Sequence, residues 1–357
     1  MNKTQKIFTR SLLEWNRRQN SRAMPWKGEK DPYRVWLSEV ILQQTRVEQG
    51  WSYYEKFIAK YPSIDKLAAA KDEQVFKLWE GLGYYSRCRN LLHTSRTIID
   101  KYNGKFPADH DEMMTLKGIG SYTASAIASF CFDLPYAVVD GNVLRVIARF
   151  FGIQTPIDTS EGKKFFSTLA QACLDKVQPG TYNQAIMDFG ATICKPVPLC
   201  DVCILRKNCR ALQLKQVSDL PGKSSRLQKK IRWFSYFIFI ADERKLVNQR
   251  NAKDIWRHLY EFHLVETGAD PGWTSKKVKA WLKKNLAIHS TVSIRIMPAQ
   301  PQALTHQLIN GYFIETELCS APASLRGKGS WITKKLIERK PFPRFIHQYL
   351  SGEKSGQ

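Results

Sequence analysis

The spacing of apolar residues over the first part of the chain predicts helices. From Thr4 to about Leu214 the apolar residues recur three or four positions apart, as at Phe8, Leu12 and Trp15. That spacing puts them on one face of an amphipathic helix, and the same pattern returns through the segment 64–79. We therefore predict an all-α first domain over residues 1–214.

The pattern changes in the last third of the chain. Residues 216–230 are polar and basic and contain Pro221-Gly222, which predicts a linker over 215–230. The segments 233–240 and 290–297 have the composition of strands, and a helix is predicted near 276–285. We predict a multidomain protein in which an α+β domain over residues 231–350 follows the helical domain.

The charge of the chain points to a polyanionic partner. Lys and Arg number 55 against 32 Asp and Glu, a net charge of +23, and basic pairs are spread over the whole length. Such an excess is typical of proteins that bind nucleic acid. No apolar run approaches the length of a membrane span, so we expect a soluble protein without a membrane partner.

Four cysteines, Cys194, Cys200, Cys203 and Cys209, lie within sixteen residues. Four thiolates suit either a [4Fe-4S] cluster or a structural zinc ion. Zinc sites usually have two tight Cys-x2-Cys pairs, whereas here only the central pair is tight, which favours the cluster. A disulfide pattern is less expected because the other four cysteines stand alone and no secretory signal is seen, so we take the compartment as reducing.

The segment 116–124 has the composition of a helix-hairpin-helix. Gly118 and Gly120 stand at a helix-to-helix turn, followed by a run of small residues. Glycines allow a tight turn whose N–H groups, with the next helix N-terminus, can hold a DNA phosphate. We therefore predict that Gly118 and Gly120 contact DNA.

With these motifs in this order, the chain resembles the endonuclease III superfamily of DNA glycosylases, and within it the adenine DNA glycosylases of the MutY type. The resemblance covers roughly residues 5–212 and includes the segments 24–26, 36–45 and 81–87. One departure is that the family usually has six residues between the first two cysteines, whereas this chain has five. The resemblance implies that the four cysteines bind a [4Fe-4S] cluster.

Cleavage of an N-glycosidic bond requires an acid for the leaving base and a carboxylate for the sugar cation. Glu39 lies on a predicted helix with Trp36, Val40 and Leu42, surroundings that should raise its pKa and make it the general acid. The simpler interpretation is an exposed helical Glu. Asp140 precedes Gly-Asn at a helix start, so we predict a helix cap whose N–H groups keep the carboxylate ionised.

By resemblance, Asp140 is the electrostatic or covalent partner of the anomeric carbon, and Asn142 positions it. Superfamily members that also cut the strand carry a lysine at the position of Tyr122, and a phenol cannot form a Schiff base. The resemblance thus implies a glycosylase without efficient lyase activity. Tyrosine also occurs here in mismatch thymine glycosylases, so Glu39 and the second domain are what favour adenine.

A base in a duplex must be flipped out before chemistry, and something must fill the gap. By resemblance, Gln44 and Tyr84 wedge beside the opposite base and Thr45 adds a hydrogen bond. The same motifs bring Leu82 and Arg87 to the DNA. Further matched positions line the pocket of the extruded adenine by the same resemblance, and the alternative is that they are helix-end and core residues: Arg22, Trp26 and Gln184.

The C-terminal region resembles the Nudix-like domain with which these enzymes recognise 8-oxoguanine. The similarity lies in residues 256–262 and in the loop Leu304-Thr305-His306, where the family usually has Phe-Ser-His. The glutamates that bind Mg²⁺ in Nudix hydrolases do not follow Glu261, so this domain should bind without hydrolysing. We predict that Thr305 and His306 contact DNA; the alternative is a buried strand turn.

The predicted function is therefore excision of adenine opposite 8-oxoguanine or guanine in double-stranded DNA, which leaves an abasic site. We expect a monomer in a bacterial cytoplasm, associated with the nucleoid. A mismatch-specific thymine glycosylase and a non-catalytic, cluster-containing DNA-damage binding protein are the alternatives.

Overall fold

The structure is a computed structural model that describes residues 1–224 and 229–352. The described residues form two compact units. One comprises those of Met1–Ala69 and Arg89–Ser225, and the other those of Ala70–Cys88 and Arg226–Gln357. The segment 70–88 thus groups with the C-terminal residues, although it lies inside the predicted first domain. Residues 225–228 of the predicted linker lie outside the described residues.

Helices make up the first unit, as the apolar spacing predicts. Two short 3-10 turns, Cys200–Val202 and Arg206–Asn208, carry part of the cysteine segment. Of the twelve helices up to residue 213, α5 belongs to the second unit and α6 begins there. Their bounds are α1 (Lys3–Gln19), α2 (Pro32–Leu42), α3 (Val47–Lys60), α4 (Ile64–Ala68), α5 (Asp72–Trp79), α6 (Tyr85–Tyr102), α7 (His110–Thr115), α8 (Ser121–Cys131), α9 (Gly141–Phe151), α10 (Ser160–Cys173), α11 (Pro179–Thr192) and α12 (Arg210–Gln213).

Helices α2 and α8 pack against each other in the first unit. Asp31 caps α2 by accepting from the Tyr33 N–H, and Pro32 fixes its first turn. Almost every later side chain of α2 is buried, Glu39 included. Because α8 buries only small or β-branched residues from Thr123 to Ser129, α2 can pack closely against it. This packing places the middle of α2 beside the N-terminus of α8.

Helix α11 packs tightly against both α8 and α9. A Cβ on Gly180 would lie 2.6 Å from the Ser129 carbonyl oxygen, and one on Gly190 would lie 2.7 Å from the Asn142 Cβ. Asn183 further joins α11 to α8 by donating to Ser129 Oγ at 2.8 Å. The two glycines therefore let α11 approach the end of α8 and the start of α9, where Asn142 lies.

The first half of the predicted linker is ordered on the first unit. Leu220 is buried in the helical core, and its carbonyl accepts from Arg149 Nε at 3.0 Å. The Gly222 carbonyl accepts from the Ile157 N–H at 3.0 Å. Composition alone predicted a free linker here, whereas one apolar residue anchors the segment.

The second unit contains a mixed sheet, which confirms the predicted α+β class. Strands β1 and β7 pair in parallel from Lys230–Gln307 to Ile240–Glu317, and the other pairs are antiparallel. The main strand order is β3-β2-β1-β7-β5. The elements are β1 (Lys230–Ala241), β2 (Arg244–Gln249), β3 (Tyr260–Glu261), β4 (His263–Thr267), α13 (Ser275–Leu286), β5 (Ser293–Pro298), β6 (Gln302–Ala303), β7 (Gln307–Glu317), β8 (Ser330–Thr333), α14 (Lys334–Ile337) and α15 (Arg344–Gly352).

Both faces of β1 are buried, which explains its unbroken apolar sequence. On one face Phe237 stacks on Trp281 of α13 at 4.5 Å between ring centroids. On the other face Tyr236 contacts Phe345 of α15.

The segment 70–88 is joined to this unit by polar contacts, since Glu80 accepts from the Phe342 N–H at 2.9 Å. In the described residues no helix is long and apolar enough to cross a membrane.

Candidate active site

One cleft of about 730 Å³ in the first unit gathers the predicted catalytic and base-pocket residues. It lies where the loop after α1, the end of α2 and the first turns of α8, α9 and α11 meet. Residues that are far apart in sequence therefore line the same cleft. The predicted residues that line it are Arg22, Trp26, Glu39, Gln44, Thr45, Tyr122, Asp140, Asn142 and Gln184.

Glu39 is a buried acid in this cleft, with 6% of its surface exposed. Burial raises its pKa to about 7, with the nearby charge of Asp140 acting in the same direction, while a hydrogen bond with Tyr122 opposes both. The apolar neighbours on α2 predict this direction. A carboxyl group with such a pKa is substantially protonated near neutral pH and can donate a proton.

Asp140 is the N-cap of α9, as its sequence context predicts. Its Oδ1 accepts from the Val143 N–H at 2.7 Å, and its Oδ2 accepts from Asn142 Nδ2 at 2.8 Å. Burial nevertheless raises the pKa of Asp140 above its ordinary value, and these hydrogen bonds only oppose that rise. The helix N–H groups and the Asn142 amide therefore favour the ionised carboxylate, as the cap position predicts, while burial acts in the opposite direction and has the larger effect.

Asn142 connects Asp140 to Arg145. The amide oxygen of Asn142 accepts from Arg145 Nη2 at 2.8 Å, and the same Nη2 donates to the Gly190 carbonyl at 2.7 Å. Arg145 Nε also donates to the Cys194 carbonyl at 2.8 Å. This arrangement fixes the amide orientation of Asn142 and directs its N–H group at the carboxylate. Arg145 is a residue that sequence reasoning did not select.

Tyr122 stands at the start of α8 beside Glu39. Burial raises the pKa of its phenol well above the ordinary value, and the charges of Glu39 and Asp140 and the hydrogen bond with Glu39 add to this rise. The phenol therefore stays protonated and acts as a hydrogen-bond donor to the acid.

The predicted base-pocket residues Arg22 and Gln184 converge on a carboxylate that sequence reasoning missed, that of Asp188. Arg22 Nη1 and Gln184 Nε2 each donate to Asp188 Oδ1 at 2.9 Å. Asp188 lies one turn beyond Gln184 in a helix that is otherwise buried. A carboxylate on a buried helix requires hydrogen-bond donors, and this requirement is the signal by which Asp188 could have been identified from the sequence.

Trp26 forms an aromatic wall of the cleft. Its ring packs edge-on against Tyr54 of α3 at 5.2 Å between centroids and lies 6.3 Å from that of Trp51. Tyr54 and Trp51 were not predicted as supports, although they share one face of α3 at the three-residue spacing of a helix.

Gln44 lies beyond the end of α2 in a backbone conformation that side chains rarely adopt. Its φ is +57° and its side chain is exposed. Thr45 closes the turn through its N–H, which donates to the Leu42 carbonyl at 3.0 Å. A strained residue with an exposed side chain at the rim of a cleft is typical of functional sites.

The hairpin between α7 and α8 has the form that its glycines predict. Gly118 has a φ of +85°, and a Cβ there would lie 2.6 Å from the Asn90 Cβ. Thr94 Oγ1 donates to the Lys117 carbonyl at 2.7 Å and holds the turn. Gly120 is the N-cap of α8, and no capping side chain accepts a hydrogen bond from the first N–H groups of that helix. The backbone at this helix start is exposed.

In the second unit the structure brings Tyr84 and Thr305 together. Their hydroxyl oxygens are 2.5 Å apart, although the residues are 221 positions apart in sequence. Tyr84 is 44% exposed and has a φ of +46°. Thr305 and His306 are exposed in the turn before β7, so the alternative of a buried strand turn is wrong.

Leu82 and Arg87, on either side of Tyr84 in sequence, are buried, at 6% and 8% exposure. The Arg87 guanidinium lies 5.1 Å from the Trp79 ring and 5.4 Å from the Tyr84 ring. Its Nη2 donates to the Leu82 carbonyl at 3.4 Å. Arg87 therefore supports the turn that presents Tyr84.

The loop that carries Thr305 and His306 is held from the strand side. The Lys230 N–H donates to the His306 carbonyl at 2.9 Å, and Arg232 Nη1 donates to Gln307 Oε1 at 3.0 Å. Arg232 also pairs with Asp254 at 2.7 Å. The start of β7 is therefore hydrogen-bonded to Arg232, which forms a partly buried ion pair with Asp254.

The four cysteines of the 194–209 segment lie near one another in the first unit. Each is half-buried, and their thiol groups are close enough to influence one another's ionisation. Arg149 Nη1 lies 3.7 Å from Cys194 Sγ and brings a positive charge to the set. Within the described residues no group of three or more His, Cys, Asp or Glu side chains is arranged to hold a single metal ion.

Comparisons with known proteins place the chain in a family. The HhH-GPD superfamily of base excision DNA repair proteins matches residues 37–171. The adenine DNA glycosylase of Buchnera aphidicola subsp. Baizongia pistaciae is 33% identical over 287 residues, 78% of this chain and 78% of that protein. The human adenine DNA glycosylase is 40% identical over 229 residues, which are 61% of this chain and 42% of that protein.

Two solved structures have similar folds over 60% of this chain. A thermostable thymine-DNA glycosylase is 28% identical with a TM-score of 0.55, and 98% of that chain is covered. An endonuclease III in a non-covalent complex with DNA is 26% identical with a TM-score of 0.51, and 99% of that chain is covered. With this fold, the cleft and these relatives, the chain belongs to the adenine DNA glycosylases, N-glycosylase hydrolases of the HhH-GPD base excision repair superfamily.

Proposed function

We propose that this chain hydrolyses adenine from double-stranded DNA where the adenine faces 8-oxoguanine or guanine, and leaves an abasic site without efficient strand scission. The observation that carries the proposal is Glu39, a buried acid with a pKa of about 7 in the same cleft as Asp140. A proton donor and a carboxylate at one cleft are what N-glycosidic hydrolysis requires.

The reaction follows from the positions of these two groups. Glu39 donates its proton to a ring nitrogen of the flipped adenine, so that the bond from the base to the anomeric carbon breaks and the base leaves neutral. The electron-deficient sugar is stabilised by Asp140, which Asn142 and the Val143 N–H hold in place. Water then bonds to the anomeric carbon and gives a proton to the Glu39 carboxylate, which restores the acid.

The absence of efficient lyase chemistry is proposed from the amines at the cleft. Tyr122 offers no amine to the sugar. Lys27 and Lys30 do line the cleft, and both pair with carboxylates, Lys27 with Asp188 at 3.0 Å and Lys30 with Asp133 at 3.3 Å. Lys27 also donates to the Arg22 carbonyl at 2.8 Å. Amines engaged by partners in this way are not free to attack the anomeric carbon.

Recognition of the opposite base is proposed for the second unit. Tyr84 presents an aromatic ring that can wedge into the base stack, and the hydroxyl groups of Tyr84 and Thr305 offer donors and acceptors at the same point. Arg87 and Leu82 act by supporting Tyr84. We propose a Nudix-like domain that binds without hydrolysing, with His306 beside Thr305 at the lesion.

We further propose that Cys194, Cys200, Cys203 and Cys209 bind a [4Fe-4S] cluster. Four half-buried thiols with Arg149 beside them suit an all-cysteine cluster, whose negative charge the guanidinium would offset. The loop shortened to five residues is closed by the Leu199 N–H, which donates to the Ile193 carbonyl at 2.9 Å. Purified protein should contain about four iron and four acid-labile sulfide per chain, and zinc in their place would contradict the proposal.

The experiment that tests the function is single-turnover base release from duplexes carrying 8-oxoguanine:A, G:A and G:T, with and without alkali. Adenine release from the first two, with strand breaks only after alkali, is the expected result. Thymine release from G:T would favour the mismatch thymine glycosylase. Tight binding without release would favour a non-catalytic damage-binding protein.

A further inference from the structure

Asp188 is a fully buried carboxylate with two polar partners on each of its oxygens, three of them hydrogen-bond donors and one an ion-pair partner. It is 0% exposed and does not itself line the cleft. Besides the bonds from Arg22 and Gln184 to Oδ1, Oδ2 accepts from Asn20 Nδ2 at 2.8 Å and pairs with Lys27 Nζ at 3.0 Å. The donors come from α11 and from the loop after α1, so one side chain fixes two walls of the base pocket.

The bond to Asp188 determines which way the Gln184 amide points. A carboxylate only accepts, so Gln184 must turn its amino group towards Asp188, and its amide oxygen remains for the cleft. The pocket therefore presents an acceptor at this point. The exocyclic amine of adenine is a donor, whereas a 6-oxo purine such as hypoxanthine carries an acceptor at the same position.

Arg22 is oriented by the same carboxylate. Its guanidinium carries five N–H groups, and the bond from Nη1 to Asp188 uses one of them. Arg22 lines the cleft, so the planar group is held with further donors available to the ring nitrogens of a base. Lys27 ties the Arg22 backbone down as well, since it donates to the Arg22 carbonyl at 2.8 Å.

We propose that Asp188 is a positioning residue for base specificity: by fixing the Gln184 amide and the Arg22 guanidinium, it makes the pocket accept a 6-amino purine and reject a 6-oxo purine. This inference rests on the proposed function and deepens it. Asp188 touches no substrate and acts through the two residues that do.

The test compares Asp188→Asn with the wild type in single-turnover release of adenine and of hypoxanthine, each placed opposite 8-oxoguanine. An asparagine offers one accepting oxygen where four polar partners meet, so Gln184 loses its fixed orientation. We expect the ratio of the adenine rate to the hypoxanthine rate to fall at least about tenfold. The ratio is measured within one protein, so it does not depend on the folded fraction.

Two further variants separate specificity from stability. Thr192→Ala removes the hydroxyl that donates to the Asp188 backbone carbonyl at 2.8 Å and leaves the carboxylate intact, so its ratio should match the wild type. Gln184→Ala should lower the ratio, and adding Asp188→Asn to it should change the ratio by less than about twofold. An Asp188→Asn protein that is slower on both bases with an unchanged ratio would overturn the proposal.

A second measurement decides the inference even if the wild type releases neither base, an outcome that would refute the proposed function. With ¹⁵N-labelled glutamine, the side-chain amide of Gln184 is assigned by its loss in Gln184→Ala. We expect slow hydrogen exchange of this amide in the wild type and fast exchange in Asp188→Asn. Equal exchange in both proteins would show that Asp188 does not hold Gln184.

Discussion

The amide nitrogen of Asn142 donates to the Asp140 carboxylate at 2.8 Å. Arg145 holds the other end of the same amide, so the carboxylate receives its hydrogen bond from a group that cannot rotate freely. Burial raises the pKa of Asp140, and this hydrogen bond is one of the interactions that oppose the rise. Asn142, held by Arg145, therefore positions the Asp140 carboxylate and favours its ionised form. This carboxylate is the group proposed to stabilise the sugar cation.

Asn142→Ala should lower the single-turnover rate of adenine release by roughly tenfold to a hundredfold, because the carboxylate loses a positioning donor and becomes harder to ionise. DNA affinity should stay within about twofold in a gel-shift titration. Asn285→Ala is the matched control and should behave as the wild type, because this exposed amide on α13 donates to the Trp281 carbonyl of its own helix. An unchanged rate in Asn142→Ala would remove Asn142 from the mechanism.

Tyr122→Lys should introduce strand scission. The new amine would be buried beside the anomeric carbon, where desolvation lowers the pKa of a lysine and makes it nucleophilic. Borohydride should then trap a covalent complex with DNA. Tyr122→Phe is the matched control and should give no trapped complex. Efficient trapping by the wild type would contradict the proposed lack of lyase activity.

Thr305→Ala should weaken the preference for 8-oxoguanine:A over G:A while G:A cleavage is largely kept. The change removes the hydroxyl group that contacts the Tyr84 hydroxyl and keeps the backbone of the turn before β7. We expect the ratio of the two rates to fall by about fivefold to tenfold, the usual effect of one hydrogen bond. Tyr84→Phe removes the other hydroxyl and keeps the ring, so it should lower the ratio similarly. A loss that is equal on both duplexes would argue for a role in binding alone.

Glu39→Gln should abolish base release and leave DNA binding intact. The amide has nearly the same shape but cannot give up a proton, and loss of general acid catalysis typically costs about 10²–10⁴ in rate. Asp175→Asn is a suitable control, because Asp175 only caps its own turn by accepting from the Val177 N–H. Near-normal turnover by Glu39→Gln would mean that another group protonates the base.

Local sequence patterns predicted the secondary structure well, because helix boundaries have local causes. The helix predicted near 276–285 runs over Ser275–Leu286, and Thr274 caps it by accepting from the Lys277 N–H. Asp140 as a helix cap follows from the same kind of local argument. The residues that meet at the cleft could also be found, since motifs at the ends of helices carry most of them.

Tertiary contacts could not be predicted in the same way. Helical spacing in α5 shows which face is buried but not what packs against it, and the ring of Phe76 on that face lies 6.4 Å between centroids from that of His258, far along the chain. Asp188 was missed because its partners lie more than 160 positions away in the loop after α1. Leu82 and Arg87 lie near Tyr84 in sequence, yet only the structure shows that both are buried and that Arg87 packs against the Tyr84 ring.

The pH dependence of adenine release tests the central role of Glu39 most directly. Burial raises its pKa to about 7, and the protonated form is the active one. The single-turnover rate, measured from about pH 5 to about pH 9, should be full below that value and fall about tenfold per pH unit above it. Glu39→Gln should be slow without this inflection. A wild-type rate that rises through neutral pH, or the same inflection in Glu39→Gln, would contradict the mechanism.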